Sequence, residues 1–411
     1  MKKLLFISLI GASFTMAFSA QGGFQSAIPD DPDTTIIYDI NEAQTDSMEG
    51  NIDADSAAID SVGADYVDDD AMMVDYYGDS ITTINGTTYY IGYDDEDETG
   101  KDSATAYILA MNGHDTVAKC DIYGTFSHCE ATSDGNLLLT YGAEETKIAT
   151  NPMPSRVKML EPALPDNYRH LSFKQQLQLA DSNVESLNMQ ADIYLPEGYE
   201  AAANAVLLKG IEGIWADCGK IKPADDTEGL LNEAWNAYKK EYRSLFKNED
   251  EMEHYSFNFN LRPTWQDKAK GLMTLRLYSD GYFGGAHGMY FMAYTTVSKQ
   301  TQQALGFQDI FKPEATQAVI ALLDKKVDAW KAKYGFSDMG TKGSALDSEP
   351  SKGDFRTTTG NVEQIGGKFY PRPALTQRGV VFTYFPYEIG PYASGAAHIV
   401  LTYDELSGML K

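Results

Sequence analysis

Two glycine-rich, aromatic turns, at residues 279–288 and 385–395, most constrain what this chain can fold into. Alternating runs flank each turn, and Met273, Leu275 and Leu277 lead into the first. Such alternation is typical of strands with one buried face, and a glycine-rich turn between two such runs predicts an antiparallel hairpin. We therefore expect a C-terminal sheet in which both turns stand together at the surface.

Two further segments of this region have helical periodicity. Apolar residues recur every three or four positions over 231–245, with Asp226 or Thr227 as the N-cap. A second helix begins at Pro313, which suits a first helical turn. Strands interleaved with two main helices predict an α+β domain with an antiparallel sheet over residues 160–411.

A small all-β unit precedes that domain, over residues 80–150. Asn112-Gly113 and Asp134-Gly135 are typical of tight turns between its strands. Pro152 and Pro154 interrupt regular structure and predict a boundary. The strands of this unit are predicted at residues 87–93, 105–111, 116–123 and 137–141.

The N-terminal fifth of the chain is predicted to lie outside the folded domains. Residues 1–20 have a lysine head, an apolar run and a small-residue end, which predict a signal peptide and export to the periplasm or the medium. Residues 21–79 predict a disordered acidic spacer, because 21 Asp and Glu occur at 21–100 without a single Lys or Arg. Most of the net charge of −27 therefore comes from this segment.

Several function classes are excluded by composition and spacing. No basic stripe exists to bind nucleic acid, and no later apolar segment is long enough for an integral membrane protein. The six histidines lie far apart without metal-ligand spacing, so we expect no metal and no cofactor. Residues 95–100 resemble the start of a calcium loop, but Ala106 stands where the closing Glu belongs, which favours a solvated acidic loop.

Three cysteines in an exported chain invite a disulfide prediction. A two-residue loop at Gly124-Thr125 would fold residues 120–129 into a hairpin and place Cys120 opposite Cys129 at a non-hydrogen-bonded pair. Such pairs bring side chains closest, so a Cys120–Cys129 disulfide is predicted, with two unbonded thiols as the alternative. Cys218 is left over, either buried or as a free thiol.

The two turns are also the candidate binding site. Tyrosine is the aromatic residue that most often anchors binding surfaces, because its ring buries a large area at low entropic cost. A merely aromatic core is the alternative, since the chain contains 26 tyrosines. The candidate contact residues are Tyr282, Phe283, His287, Tyr387, Glu388 and Tyr392.

A catalytic interpretation of the turns is weaker. His287 would act as a general base oriented by Glu388 or Asp280, or it would simply hydrogen-bond the backbone of its turn. No G-x-S-x-G elbow or other convincing nucleophile is present. A non-catalytic protein is therefore the first expectation.

Residues 165–411 resemble the RsiV-like C-terminal domain, a domain of unknown function. The resemblance is carried by residues 282–288, 385–395 and 399–406, and by residues 303–311 before the second helix. In RsiV-type anti-sigma factors this extracellular region binds lysozyme, and related domains accompany peptidoglycan deacetylases as non-catalytic modules. Neither a cytoplasmic segment nor a deacetylase domain is recognisable, so sigma-factor regulation is not expected.

The resemblance and the turns together predict an exported, non-catalytic binding protein whose partner is lysozyme or peptidoglycan. One alternative is a hydrolase of cell-wall polymers that uses His287. Another is a structural or assembly protein of the envelope.

Overall fold

The computed structural model describes residues 79–411, apart from 94–105, 114, 125, 160–163, 179–184, 225, 247–252, 285–286, 338–342, 347–355 and 357–358. The predicted signal peptide, the acidic spacer up to residue 78 and the acidic loop at 95–100 lie outside these residues.

Two sheets build the N-terminal β-rich unit. A five-stranded sheet has the order β1-β2-β3-β4-β8, and a three-stranded meander has the order β5-β6-β7. One core lies between the sheets, where Ile108 and Ile122 of the first sheet pack with Leu137 and Leu139 of the meander. The strand bounds are β1 Asp79–Ile84, β2 Thr87–Tyr93, β3 Ala106–Asn112, β4 Asp115–Tyr123, β5 His128–Ala131, β6 Leu137–Tyr141, β7 Glu144–Ile148 and β8 Arg156–Lys158.

The predicted Cys120–Cys129 hairpin is wrong, and both thiols are free. Gly124 does turn the chain with φ 91°, but the two cysteines lie in different sheets, where Cys129 pairs with Leu139 of β6. The edge that a hairpin would need is occupied by β8, which runs parallel to the end of β4. The end of β4 thus pairs with β8, 35 residues further along the chain, and not with the segment that directly follows Gly124. Cys218 forms no disulfide either.

A five-stranded sheet forms the centre of the C-terminal region, in the order β13-β12-β11-β10-β9. All its pairs are antiparallel except β10 with β11. Two helices connect that parallel pair, α1 Glu200–Ile214 and α2 Thr227–Leu245, and both pack on the same apolar face of the sheet. The strand bounds are β9 Tyr168–Gln178, β10 Glu185–Pro196, β11 Tyr255–Asp267, β12 Leu272–Tyr282 and β13 Met289–Ser298.

Helix α1 was not anticipated from the sequence, whereas α2 was. Asp226 caps α2 as expected, accepting a hydrogen bond from the backbone N–H of Gly229 at 2.6 Å. Two glycines weaken the helical signal of α1, and Gly210 has a tertiary reason. A Cβ there would lie 2.4 Å from Leu277 Cδ2, so the close approach of α1 to β12 requires glycine.

A second, smaller α+β layer completes the chain. Helices α3 Phe307–Ile310 and α4 Thr316–Lys333 pack on a three-stranded meander of β16 Pro373–Leu375, β17 Gly379–Tyr384 and β18 Ala397–Thr402. A two-stranded ribbon of β14 Glu363–Ile365 and β15 Lys368–Tyr370 adjoins them. The predicted α+β class is confirmed.

The N-terminal unit docks on the rest of the chain through a buried polar seam. The hydroxyl of Tyr294 donates to Glu144 Oε2 at 2.6 Å and accepts from the backbone N–H of Ala143 at 2.9 Å. Arg276 Nη1 lies 3.4 Å from the same carboxylate, and its guanidinium stands 4.8 Å from the ring centre of Tyr141. Desolvation offsets much of the attraction within a buried charge pair, so this pair adds little net stability, although removing one partner would be costly.

Candidate functional site

The structure brings the two glycine-rich turns together. The first turn joins β12 to β13, and the second joins β17 to β18. The hydroxyl of Tyr392 in the second turn donates to the carbonyl oxygen of Gly288 in the first, at 2.8 Å. The rings of His287 and Tyr392 stack with their centres 4.3 Å apart. The two turns, about 100 residues apart in sequence, therefore form one surface.

Four rings form this surface, and we call them the ring cluster: His287, Tyr290, Tyr387 and Tyr392. Tyr392 is its centre. Tyr290 meets Tyr392 edge to face at 5.7 Å, and the ring of Tyr387 lies 5.6 Å from it with the two planes tilted by 38°. Tyr290 was missed in the sequence, although it alternates with the buried Phe291 on a strand and so had to point to the opposite face.

Tyr387 is the most exposed member, with 59% of its surface accessible, and Met289 beside the first turn is 45% exposed. The backbone of Tyr387 has φ 72°, a left-handed conformation that a residue with a Cβ adopts at a cost. An exposed aromatic residue held in a strained conformation suggests selection for something other than stability.

Glu388 holds this conformation in place from the inside. Its Oε2 accepts the backbone N–H of Phe385 at 2.8 Å, and its Oε1 lies 3.6 Å from Nε of Arg356. Only 9% of its side chain is exposed. Glu388, predicted as a contact residue, therefore supports its own turn.

The two remaining candidates lie apart from the ring cluster. Phe283 packs edge-on against Trp215 and Phe257, with ring centres 5.8 and 5.3 Å away, and so belongs to the core. Tyr282 ends β12 opposite Ser256 and is half-buried, near the ring of His254.

The electrostatics of the ring cluster favour neutral hydrogen-bonding groups. Burial raises the pKa of Tyr392 well above its ordinary value, and Tyr290, Tyr387 and Asp280 raise it further. Burial likewise raises the pKa of Tyr290 and of Tyr387. These phenols therefore stay protonated in any physiological medium and can both donate and accept hydrogen bonds.

His287 is oriented by a backbone group. Its Nδ1 lies 2.7 Å from the carbonyl oxygen of Gly288, which can only accept, so Nδ1 carries the proton. The two acids considered as its orienting partners are otherwise engaged. Glu388 binds within its own turn, and Asp280 Oδ1 accepts from Asn258 Nδ2 at 2.8 Å. This geometry gives no support to a His–carboxylate base. Among the described residues, no group of three or more His, Cys, Asp or Glu side chains could hold a metal ion.

Comparison with known proteins bears on the second turn. Residues 308–404 match the family model described as "Protein of unknown function (DUF3298)". These residues carry a DUF3298 domain. Tyr387 and Tyr392 lie inside this DUF3298 segment, whereas His287 and Tyr290 come from the strand pair that precedes it.

Two solved structures are similar to this chain. A DUF3298 family member from Bacteroides fragilis shares 21% identity over 61% of this chain and 95% of its own, with a TM-score of 0.42. A DUF3298 family protein from Pseudomonas aeruginosa PAO1 shares 18% identity over 61% of this chain and 96% of its own, with a TM-score of 0.39. No curated protein matches. None of the described helices has the length and hydrophobicity needed to cross a membrane.

Proposed function

We propose that this protein is an exported, non-catalytic binding protein of the cell envelope, and that the ring cluster contacts cell-wall glycan. The observation that carries the proposal is the position of Tyr392, whose ring contacts His287 of the first turn and Tyr387 of the second. Export is supported by the signal-peptide pattern of residues 1–20.

Preorganisation supports binding as the role of these rings. A ligand that meets an already ordered aromatic surface loses less conformational entropy on binding than one that must order it. The Tyr392–Gly288 hydrogen bond and the Glu388 carboxylate both immobilise the turns before any ligand arrives. Tyr387 and Met289 then offer exposed apolar area at the edge of the cluster.

The ligand chemistry follows from the groups on offer. Aromatic rings stack on the apolar faces of sugar rings, while neutral phenol groups exchange hydrogen bonds with hydroxyl groups. The resemblance to the RsiV-like domain adds lysozyme as an alternative ligand and a second bait for the test.

Co-sedimentation with purified peptidoglycan, and capture on immobilised lysozyme, test this function. We expect Tyr387→Ala to weaken peptidoglycan binding at least tenfold. Tyr107→Ala serves as the control for the loss of a tyrosine outside the ring cluster, because Tyr107 lies on β3 of the N-terminal unit.

Null results with both baits at low salt would remove the proposal. Capture by lysozyme alone would replace the glycan with a protein partner. Turnover of peptidoglycan that disappears in His287→Ala would replace binding with hydrolysis.

A further inference from the structure

The face of the five-stranded sheet opposite α1 and α2 is covered at β13 by the N-terminal unit and by β16 and β17, but on β10 and β11 it carries an unusual set of polar side chains. On β10 and β11 every second residue packs into the core against α1 and α2. The residues between them face the other way and are half-buried or exposed. They include four amides, Asn188, Gln190, Asn258 and Asn260, and the carboxylate of Asp192.

Strand register aligns these groups into rows. Gln190 of β10 lies opposite Asn258 of β11, which lies opposite Asp280 of β12, which lies opposite Tyr290 of β13. Four strands at 4.7–4.9 Å spacing make this row about 15 Å long. Because Tyr290 contacts Tyr392, the row leads directly into the ring cluster.

A second row runs beside it, with Asp192 opposite Asn260. Cross-strand hydrogen bonds fix the amides in both rows. Asn258 Nδ2 donates to Asp280 Oδ1 at 2.8 Å, and Asn260 Nδ2 donates to Asp192 Oδ2 at 3.3 Å. An amide has two N–H donors and an oxygen with two lone pairs, so a bond to one carboxylate leaves it capacity for others.

Asn and Asp are unfavourable residue types within β-strands. Asn and Asp are depleted in strands, where β-branched residues fit the pleated surface better. Solubility alone does not require Asn and Asp at positions that pair with one another across three adjacent strands, β10, β11 and β12. Their alignment points to a ligand that exchanges hydrogen bonds with amides and carboxylates.

Aromatic rings border the rows. On the β10 side, Tyr194 stacks on His170 at 4.4 Å, and the guanidinium of Arg262 lies 5.1 Å from the Tyr194 ring centre. On the β13 side, Tyr278 and Tyr290 stack at 6.3 Å. Hydrogen-bonding groups between aromatic edges suit a ligand that has both hydroxyl groups and apolar ring faces.

The charges in and beside the two rows are balanced, counting His170, which contacts Asp192, as neutral. Lys174 lies opposite Gln190 on β9 and, with Arg262, supplies two positive charges. Asp192 and Asp280 supply two negative charges. A polyanion would meet the two carboxylates and a basic protein would meet the two cations, so an uncharged ligand fits best.

We infer that this amide face, made of Gln190, Asp192, Asn258, Asn260 and Asp280, binds an uncharged oligosaccharide that lies across the strands and ends on the ring cluster. The inference rests on the proposed function, because it names the surface and the ligand class of the same site. It assigns hydrogen-bond recognition to the sheet and ring stacking to the turns.

Titration calorimetry with the β1,4-linked hexamer of N-acetylglucosamine tests the inference. The double variant Asn258→Thr/Asn260→Thr removes both amides and keeps strand propensity. We expect it to bind at least tenfold more weakly. Gln364→Thr, an exposed amide of the two-stranded ribbon, is the matched control and is expected to bind like the wild type.

Gln190→Ala is a second test of the amide face that holds even if the double variant misfolds. Gln190 is exposed, so its truncation should leave the urea unfolding midpoint unchanged while weakening hexamer binding several-fold. Its matched control is Gln364→Ala.

The outcomes separate the two proposals. If the wild type binds the hexamer, Tyr387→Ala loses it, and the amide variants keep it, the amide face is refuted and the proposed function stands. If the wild type binds peptidoglycan but not the hexamer, the amide face is likewise refuted. If it binds neither, both proposals fall.

Discussion

Tyr387 offers the sharpest separation of stability from binding. Its φ of 72° costs a residue with a Cβ about 1–2 kcal/mol. Tyr387→Ala keeps that cost. Tyr387→Gly removes it, while the greater freedom of glycine in the unfolded chain costs about 0.4–1 kcal/mol. Because both variants lose the same ring, their difference isolates the backbone, and we expect the glycine variant to be more stable by about 0.5–1 kcal/mol.

Urea unfolding followed by tryptophan fluorescence measures this difference. Val117 supplies the control pair, since it is 56% exposed on a strand and has no positive φ. There the order should reverse, with Val117→Gly less stable than Val117→Ala by roughly 0.5–1 kcal/mol. A Tyr387→Gly variant that is less stable than Tyr387→Ala by as much as the Val117 pair would show that the turn is unstrained, and would remove the argument that strain marks this residue for function. Both Tyr387 variants should lose peptidoglycan binding.

Three further predictions concern the rest of the molecule. Arg276→Met leaves Glu144 buried without its charge partner, and urea titrations should show a free energy of unfolding lower by roughly 3–5 kcal/mol. A loss below about 1 kcal/mol would show that water replaces the guanidinium. Burial raises the thiol pKa of Cys120 to about 11 and that of Cys129 to about 12. Because the thiolate is the reactive form, iodoacetamide should leave both cysteines unmodified in the native protein at pH 8, and rapid alkylation would contradict this packing. Burial lowers the pKa of the His398 imidazole to about 3, so the unfolded state takes up a proton at a higher pH than the folded state does. The free energy of unfolding should therefore fall by roughly 3 kcal/mol between pH 6.5 and pH 4, and an equally steep fall in His398→Gln would assign the effect to other groups.

Local pattern sufficed wherever neighbouring residues decide the structure. Alternation in β11 and the cap at Asp226 were predictable, because a strand face and a helix N-terminus are both set by residues a few positions apart. The strand at Thr87–Tyr93 was predicted with its observed bounds for the same reason. Helix α1 was missed because the closeness of β12, which requires Gly210, cannot be read from the helix itself.

The candidate site was predicted only in part. The glycine and aromatic content of the turns identified His287, Tyr387 and Tyr392, but gave no sign that Glu388 folds inward. Tyr290 was hidden in a strand until Tyr392 packed against it. The amide face was visible only as alternating polar residues, because alignment across strands depends on register.

The amino-acid sequence alone determined many of the strands, the capped helix α2 and the two stiff turns, since those depend on side-chain periodicity, capping and glycine, whereas α1 was not evident from it. The tertiary structure decided which segments meet. It paired β4 with β8 in place of the nearby Cys129 strand, and it joined two turns about 100 residues apart through Tyr392 and Gly288. Such pairings depend on which distant surfaces bury each other best, a competition among all segments that no single segment records.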